Sequence, residues 1–135
     1  MDRSNDPLDG SPAVPSPLRI LYVEDNDVVR EITAELLIHD QRHIVALGTA
    51  EEALHEFAEQ AFDVVITDIS LPAMSGLDLA RKILTIEPKA PIIIASGYVM
   101  DLSVSTWGPN VRSIVKPFEG AEIDALIEEL CSAHG

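Results

Sequence analysis

The sequence predicts an α/β fold: a doubly wound, five-stranded parallel sheet flanked by five helices. Three observations carry this. Five short strand patterns are present, and three of them, Ile20–Val23, Val64–Thr67 and Pro91–Ala95, are continuous apolar runs that read as strands covered on both faces. Segments with helical periodicity separate these runs, as crossovers between parallel strands require. Acidic, hydroxyl and amine side chains follow the runs directly, at Glu24-Asp25, Asp68, Ser96 and Lys116. In a parallel sheet those positions all lie on the carboxyl edge, where ligands bind.

Residues 1–17 hold four prolines among Ser, Asp and Asn, a composition that cannot build a core, and read as a disordered tail. The domain then spans residues 18–135. Ile20–Val23 forms the first strand. A helix follows, with Asn26 or Asp27 as N-cap and Val28, Ile32 and Leu36 on one apolar face. His43–Leu47 is the second strand. Thr49, with Glu52 three residues on, opens a second helix through a capping box, its apolar face formed by Ala50, Ala53, Leu54 and Phe57. The third strand, Val64–Thr67, runs into Asp68 and a loop holding Pro72, Ser75 and Gly76. A third helix over about Leu77–Ile86 is closed by Pro88. Pro91–Ala95 is the fourth strand, Met100–Thr106 a short fourth helix of mixed periodicity, and Val111–Val115 the fifth strand. The last helix runs from about Gly120 to Ser132, with Ile123, Leu126, Ile127 and Leu130 in register.

Composition narrows the function. A length of 135 residues suits one domain. No apolar run approaches the roughly 20 residues of a membrane span, and the N-terminus has no charged segment followed by an apolar one, so the expected compartment is cytoplasmic. Cys131, the single cysteine, has no partner for an internal disulfide. Acidic residues outnumber basic ones 23 to 9, for a net charge of −14. That balance argues against nucleic-acid binding and favours cations and basic partner surfaces.

The strand-end residues specify a chemistry. Glu24, Asp25 and Asp68 would converge on one edge, where carboxylates repel unless a cation intervenes. Few hard oxygen ligands with room for water and phosphate oxygens suit Mg²⁺. One carboxylate can then attack phosphorus, and Asp68, alone on the central strand, is the candidate nucleophile. Lys116 and Ser96 would meet the phosphoryl oxygens. Singly, a loop aspartate, a turn serine and a surface lysine are ordinary; it is their common placement that signals a site.

At these motifs the sequence resembles the receiver (CheY-like) domain of two-component response regulators. ILYVEDN matches the family's acidic motif, VVITDISLPAMSG its phosphoacceptor motif, PIIIASGY its Ser/Thr motif and IVKPF its lysine motif, in the family's order. The resemblance implies that Asp68 accepts the phosphoryl group, that Asp25 ligates Mg²⁺ directly and Glu24 through water, and that Ser70 lends its backbone carbonyl. It also implies phosphate-sensing roles for Ser96 and Lys116 and a cis peptide at Lys116–Pro117. Ser113 stands where most receivers carry a switch aromatic, so Tyr98 is the expected replacement. PIIIASGY is similar to the PFxFATGY motif of a stand-alone subgroup.

The resemblance implies phosphotransfer from a histidine kinase or histidine phosphotransferase. It implies catalysis of the protein's own phosphorylation and dephosphorylation only, and output through protein contacts. The face of the fourth helix, fifth strand and fifth helix is the family's surface for partners and homodimers. A flavodoxin-like electron carrier would need a Ser/Thr/Gly-rich phosphate loop where Glu24-Asp25-Asn26-Asp27 stands. An Asp-dependent phosphatase would need an acid/base carboxylate where Ser70 stands. A structural domain with a vestigial pocket would not keep the full residue set. None of His39, His43, His55 and His134 follows a strand.

Overall fold

The computed structural model describes residues 17–97 and 106–132. Its elements are β1 (Leu18–Val23), α1 (Asp27–Leu37), β2 (Arg42–Leu47), α2 (Ala50–Glu59), β3 (Val64–Asp68), α3 (Gly76–Ile86), β4 (Ile92–Ser96), β5 (Val111–Val115) and α4 (Gly120–Ser132). The five strands are all parallel, in the order β2-β1-β3-β4-β5. Four helices rather than five are found among the described residues. The helix expected over Met100–Thr106 falls, except for Thr106, outside them, as do Tyr98 and the tail up to residue 16.

Period-two alternation sends the strand side chains to opposite faces, and each face has its own core. Leu21, Val23, Val65, Ile92 and Ile94 pack with Ala50 and Ala53 of α2 and Leu79 and Ile83 of α3. Ile20, Tyr22, Ile66 and Ile93 pack with Leu37 of α1 and Ile123, Ile127 and Leu130 of α4. β3 is buried along its whole length, as its unbroken apolar run requires. Two expected caps are present, with the Asn26 side chain accepting from Val29 N–H at 2.9 Å and Thr49 from Glu52 N–H at 3.1 Å, and Ser75 adds a third by accepting from Asp78 N–H at 3.1 Å.

One helix face is corrected. Val28, Ile32 and Leu36, expected to be core, are 66%, 64% and 41% exposed, while Leu37 is fully buried. The inward stripe of α1 is Val29, Thr33 and Leu37, also at four-residue spacing. Thr33 disguises it in the sequence; its side chain lies beside the phenol of Tyr22 and opposes the upward push of burial on the Tyr22 pKa. Accordingly, Leu37→Ala should cost about 2–5 kcal/mol in urea unfolding. Ile32→Ala should stay within about 0.5 kcal/mol.

Candidate functional site

The chain turns from β1 outward to β2, then returns across β1 to β3. The carboxyl ends of β1 and β3 therefore border the crevice where the strand order reverses. Glu24 follows β1 directly, and Asp68 is the last residue of β3. Both are nearly buried, at 3% and 8% exposure, and Asp25 beside them is exposed. Carboxylate oxygens of Glu24, Asp25 and Asp68 lie within 4.8 Å of one another.

Lys116 follows β5 and reaches into this cluster. Its Nζ donates to Glu24 Oε1 and to Asp68 Oδ1, each at 2.9 Å. Burial, the largest single influence, would lower the pKa of this amine. The hydrogen bonds and charges of Asp68 and Glu24 together outweigh it and hold the pKa above the ordinary lysine value. The second Glu24 oxygen, Oε2, accepts from Asn26 N–H at 3.1 Å. The Lys116–Pro117 peptide is cis.

The β3–α3 loop closes back on Asp68. Gly76 N–H donates to Ile69 O at 3.0 Å, and a Cβ at position 76 would lie 1.9 Å from Asp68 O. Only glycine allows that approach. Ser96 ends β4, is buried, and accepts from Lys116 N–H through its backbone carbonyl at 2.6 Å. Ser70 lies exposed on the loop after Asp68, and Ser113 is exposed on the edge strand β5. Sequence reasoning missed Arg30, whose guanidinium hydrogen-bonds the backbone of Glu24; its place one turn into α1 was the available signal.

The donor set suits a hard divalent cation. Three carboxylates face one ammonium, leaving two negative charges in excess, and all the clustered acceptors are oxygen. Glu24, Asp25 and Asp68 are the residues that would hold Mg²⁺.

Comparison with known proteins agrees with this geometry. The family profile described as "Response regulator receiver domain" matches residues 20–128, and the chain belongs to that family. It is 32% identical over 111 residues to the response regulator protein FleR of Pseudomonas aeruginosa, covering 81% of this chain and 24% of FleR. It is 27% identical to the response regulator receiver protein CpdR of Brucella abortus, covering 85% of this chain and 98% of CpdR. The chain spans between about a quarter and a half of the length of the first curated relatives it matches. Among solved structures, TrrA of Thermotoga maritima in complex with Mg²⁺-BeF superposes with a TM-score of 0.74 at 34% identity, covering 84% of this chain and 98% of that one. The protein is thus a response regulator receiver domain of the two-component type. No helix among the described residues is long and apolar enough to cross a membrane.

Proposed function

We propose that the protein is a stand-alone response regulator that accepts a phosphoryl group on Asp68 from a histidine kinase or histidine phosphotransferase. The observation that carries this is the Lys116 ammonium bridging Asp68 and Glu24 at 2.9 Å inside a cluster of three carboxylates. Bound Mg²⁺ would neutralise charge on the phosphoryl oxygens. An Asp68 oxygen forms the new O–P bond as the P–N bond of a phosphohistidine breaks. The electron pair returns to the ring nitrogen, leaving neutral imidazole when the other ring nitrogen carries a proton. Lys116 remains as countercharge, Ser96 would offer its hydroxyl to a phosphoryl oxygen, and the Ser70 carbonyl would join the carboxylates that hold the metal. Later attack by water returns the carboxylate and inorganic phosphate, so this site turns over its own phosphoryl group. Tyr98 would report the phosphorylated state in place of an aromatic at Ser113.

The likeness of PIIIASGY to the motif of stand-alone receivers is what supports a stand-alone role, with output through protein contact. The exposed α1 stripe has a place in the same reading. Ile32 and Leu36 line a groove of about 370 Å³ with Val29, Thr33, Pro117, Phe118 and Lys116. A phosphodonor seated there lies against the same lysine that holds Asp68.

The test compares two donors. Wild-type protein should be labelled by acetyl phosphate and by a phosphorylated histidine protein, in both cases only with Mg²⁺. Ile32→Glu should keep labelling by acetyl phosphate but slow transfer from the protein donor by about tenfold or more. Labelling without Mg²⁺ would contradict the chemistry, and equal slowing with both donors would contradict the docking.

A further inference from the structure

Arg30 on α1 reaches back under the β1–α1 loop. Its Nη1 donates to the Glu24 carbonyl at 2.8 Å, and its Nη2 pairs with Asp27 Oδ1 at 2.6 Å. The Glu24 N–H donates to Leu47 O at 3.0 Å, so the backbone of Glu24 is held from β2 through its N–H and from α1 through its carbonyl. The Arg30 side chain is three-quarters covered, at 25% exposure. Its path depends on Gly48, where a Cβ would lie 3.2 Å from Nη1 and 4.0 Å from Glu24 O. The hydrogen bonds of Arg30 go to the loop's backbone and to Asp27, not to the three clustered carboxylates.

The geometry points to Arg30, with Gly48 leaving it room, as a positioning residue for the acidic site: it holds the Glu24–Asp25 peptide so that both carboxylates meet a divalent cation without rearrangement. This rests on reading the cluster as a Mg²⁺ site. Mg²⁺ requires near-octahedral oxygen geometry, and an exposed ligand such as Asp25 must otherwise be ordered as the ion binds. Groups that orient metal ligands change affinity about 10–100-fold when removed. Charge alone predicts the opposite sign. A guanidinium near the site repels a dication, so its removal would tighten binding.

Calorimetric titration with Mg²⁺ alone separates the two. Arg30→Ala should weaken Mg²⁺ binding by about tenfold or more. Arg30→Lys should recover only part of it, because one ammonium lacks the planar fork that serves both the carbonyl and Asp27. Gly48→Ala leaves the arginine in place but crowds Nη1. It should weaken binding by a smaller factor, and should add nothing in the Arg30→Ala background. Unchanged or tighter binding by Arg30→Ala, or additive effects of the two changes, would overturn the proposal. Asp25→Asn distinguishes its failure from failure of the site reading. If Asp25→Asn loses Mg²⁺ while Arg30→Ala binds normally, the site stands and the positioning role falls. If Asp25→Asn binds as wild type does, the site reading fails and takes this proposal with it. Far-UV circular dichroism without Mg²⁺ confirms that each variant titrated is folded.

Discussion

Asp68→Asn is expected to abolish phosphoryl labelling from both acetyl phosphate and a phosphorylated histidine protein. The amide matches the carboxylate in shape and can still accept from Lys116 Nζ, which keeps its second partner, Glu24 Oε1, at 2.9 Å. What it lacks is the anionic oxygen that attacks phosphorus. The fold should persist. The change also removes one of the three clustered negative charges, so thermal stability in Mg²⁺-free buffer should be unchanged or raised. The two readouts therefore move independently, and loss of labelling cannot be put down to unfolding. Labelling of the Asn variant at the wild-type level would place the acceptor elsewhere.

Gly76→Ala should be among the most damaging single changes to the fold, although it adds one methyl group. The new Cβ would lie 1.9 Å from Asp68 O, 2.9 Å from Asp68 C and 3.1 Å from Ile69 Cα. All three are backbone atoms, so no change of side-chain rotamer relieves the contact. Either the first turn of α3 or the end of β3 must shift by about 1 Å, and overpacking of this kind costs about 3 kcal/mol or more. The Gly76 N–H bond to Ile69 O would be strained by the same shift. Since Asp68 carries the clashing carbonyl, its carboxylate should also move relative to Lys116. Urea unfolding should show the loss of stability, and the folded fraction should label more slowly than wild type. A stability within about 1 kcal/mol of wild type would contradict this packing.

The sheet and the positions of its strand-end residues were legible in the sequence for physical reasons. Continuous apolar runs such as Val64–Thr67 have few alternatives to a doubly covered strand. A carboxylate directly after one must sit where the sheet opens. The N-caps at Asn26 and Thr49 were legible because local side-chain chemistry determines them. The buried face of α1 was not. Two stripes at four-residue spacing compete there, and the more apolar one, Val28-Ile32-Leu36, faces outward. Thr33 sits on the inward stripe beside the phenol of Tyr22, and that contact between β1 and α1 has no signature in either segment alone. Glu24 and Lys116 could be placed on one edge, but their pairing across 92 residues of chain emerges only from the fold. The same holds for Gly48 beside Arg30, and for Gly76 against the Asp68 carbonyl.

The central claim, that Asp68 is the phosphoacceptor, is tested most directly by trapping the acyl phosphate. Protein treated with acetyl phosphate and Mg²⁺ is reduced with borohydride, digested and sequenced by mass spectrometry. An acyl phosphate on Asp68 is converted to homoserine, so the peptide containing VVITDISLP should carry homoserine at position 68, and only when both phosphodonor and Mg²⁺ were present. An unmodified Asp68 beside a labelled serine, threonine, histidine or other aspartate would contradict the account.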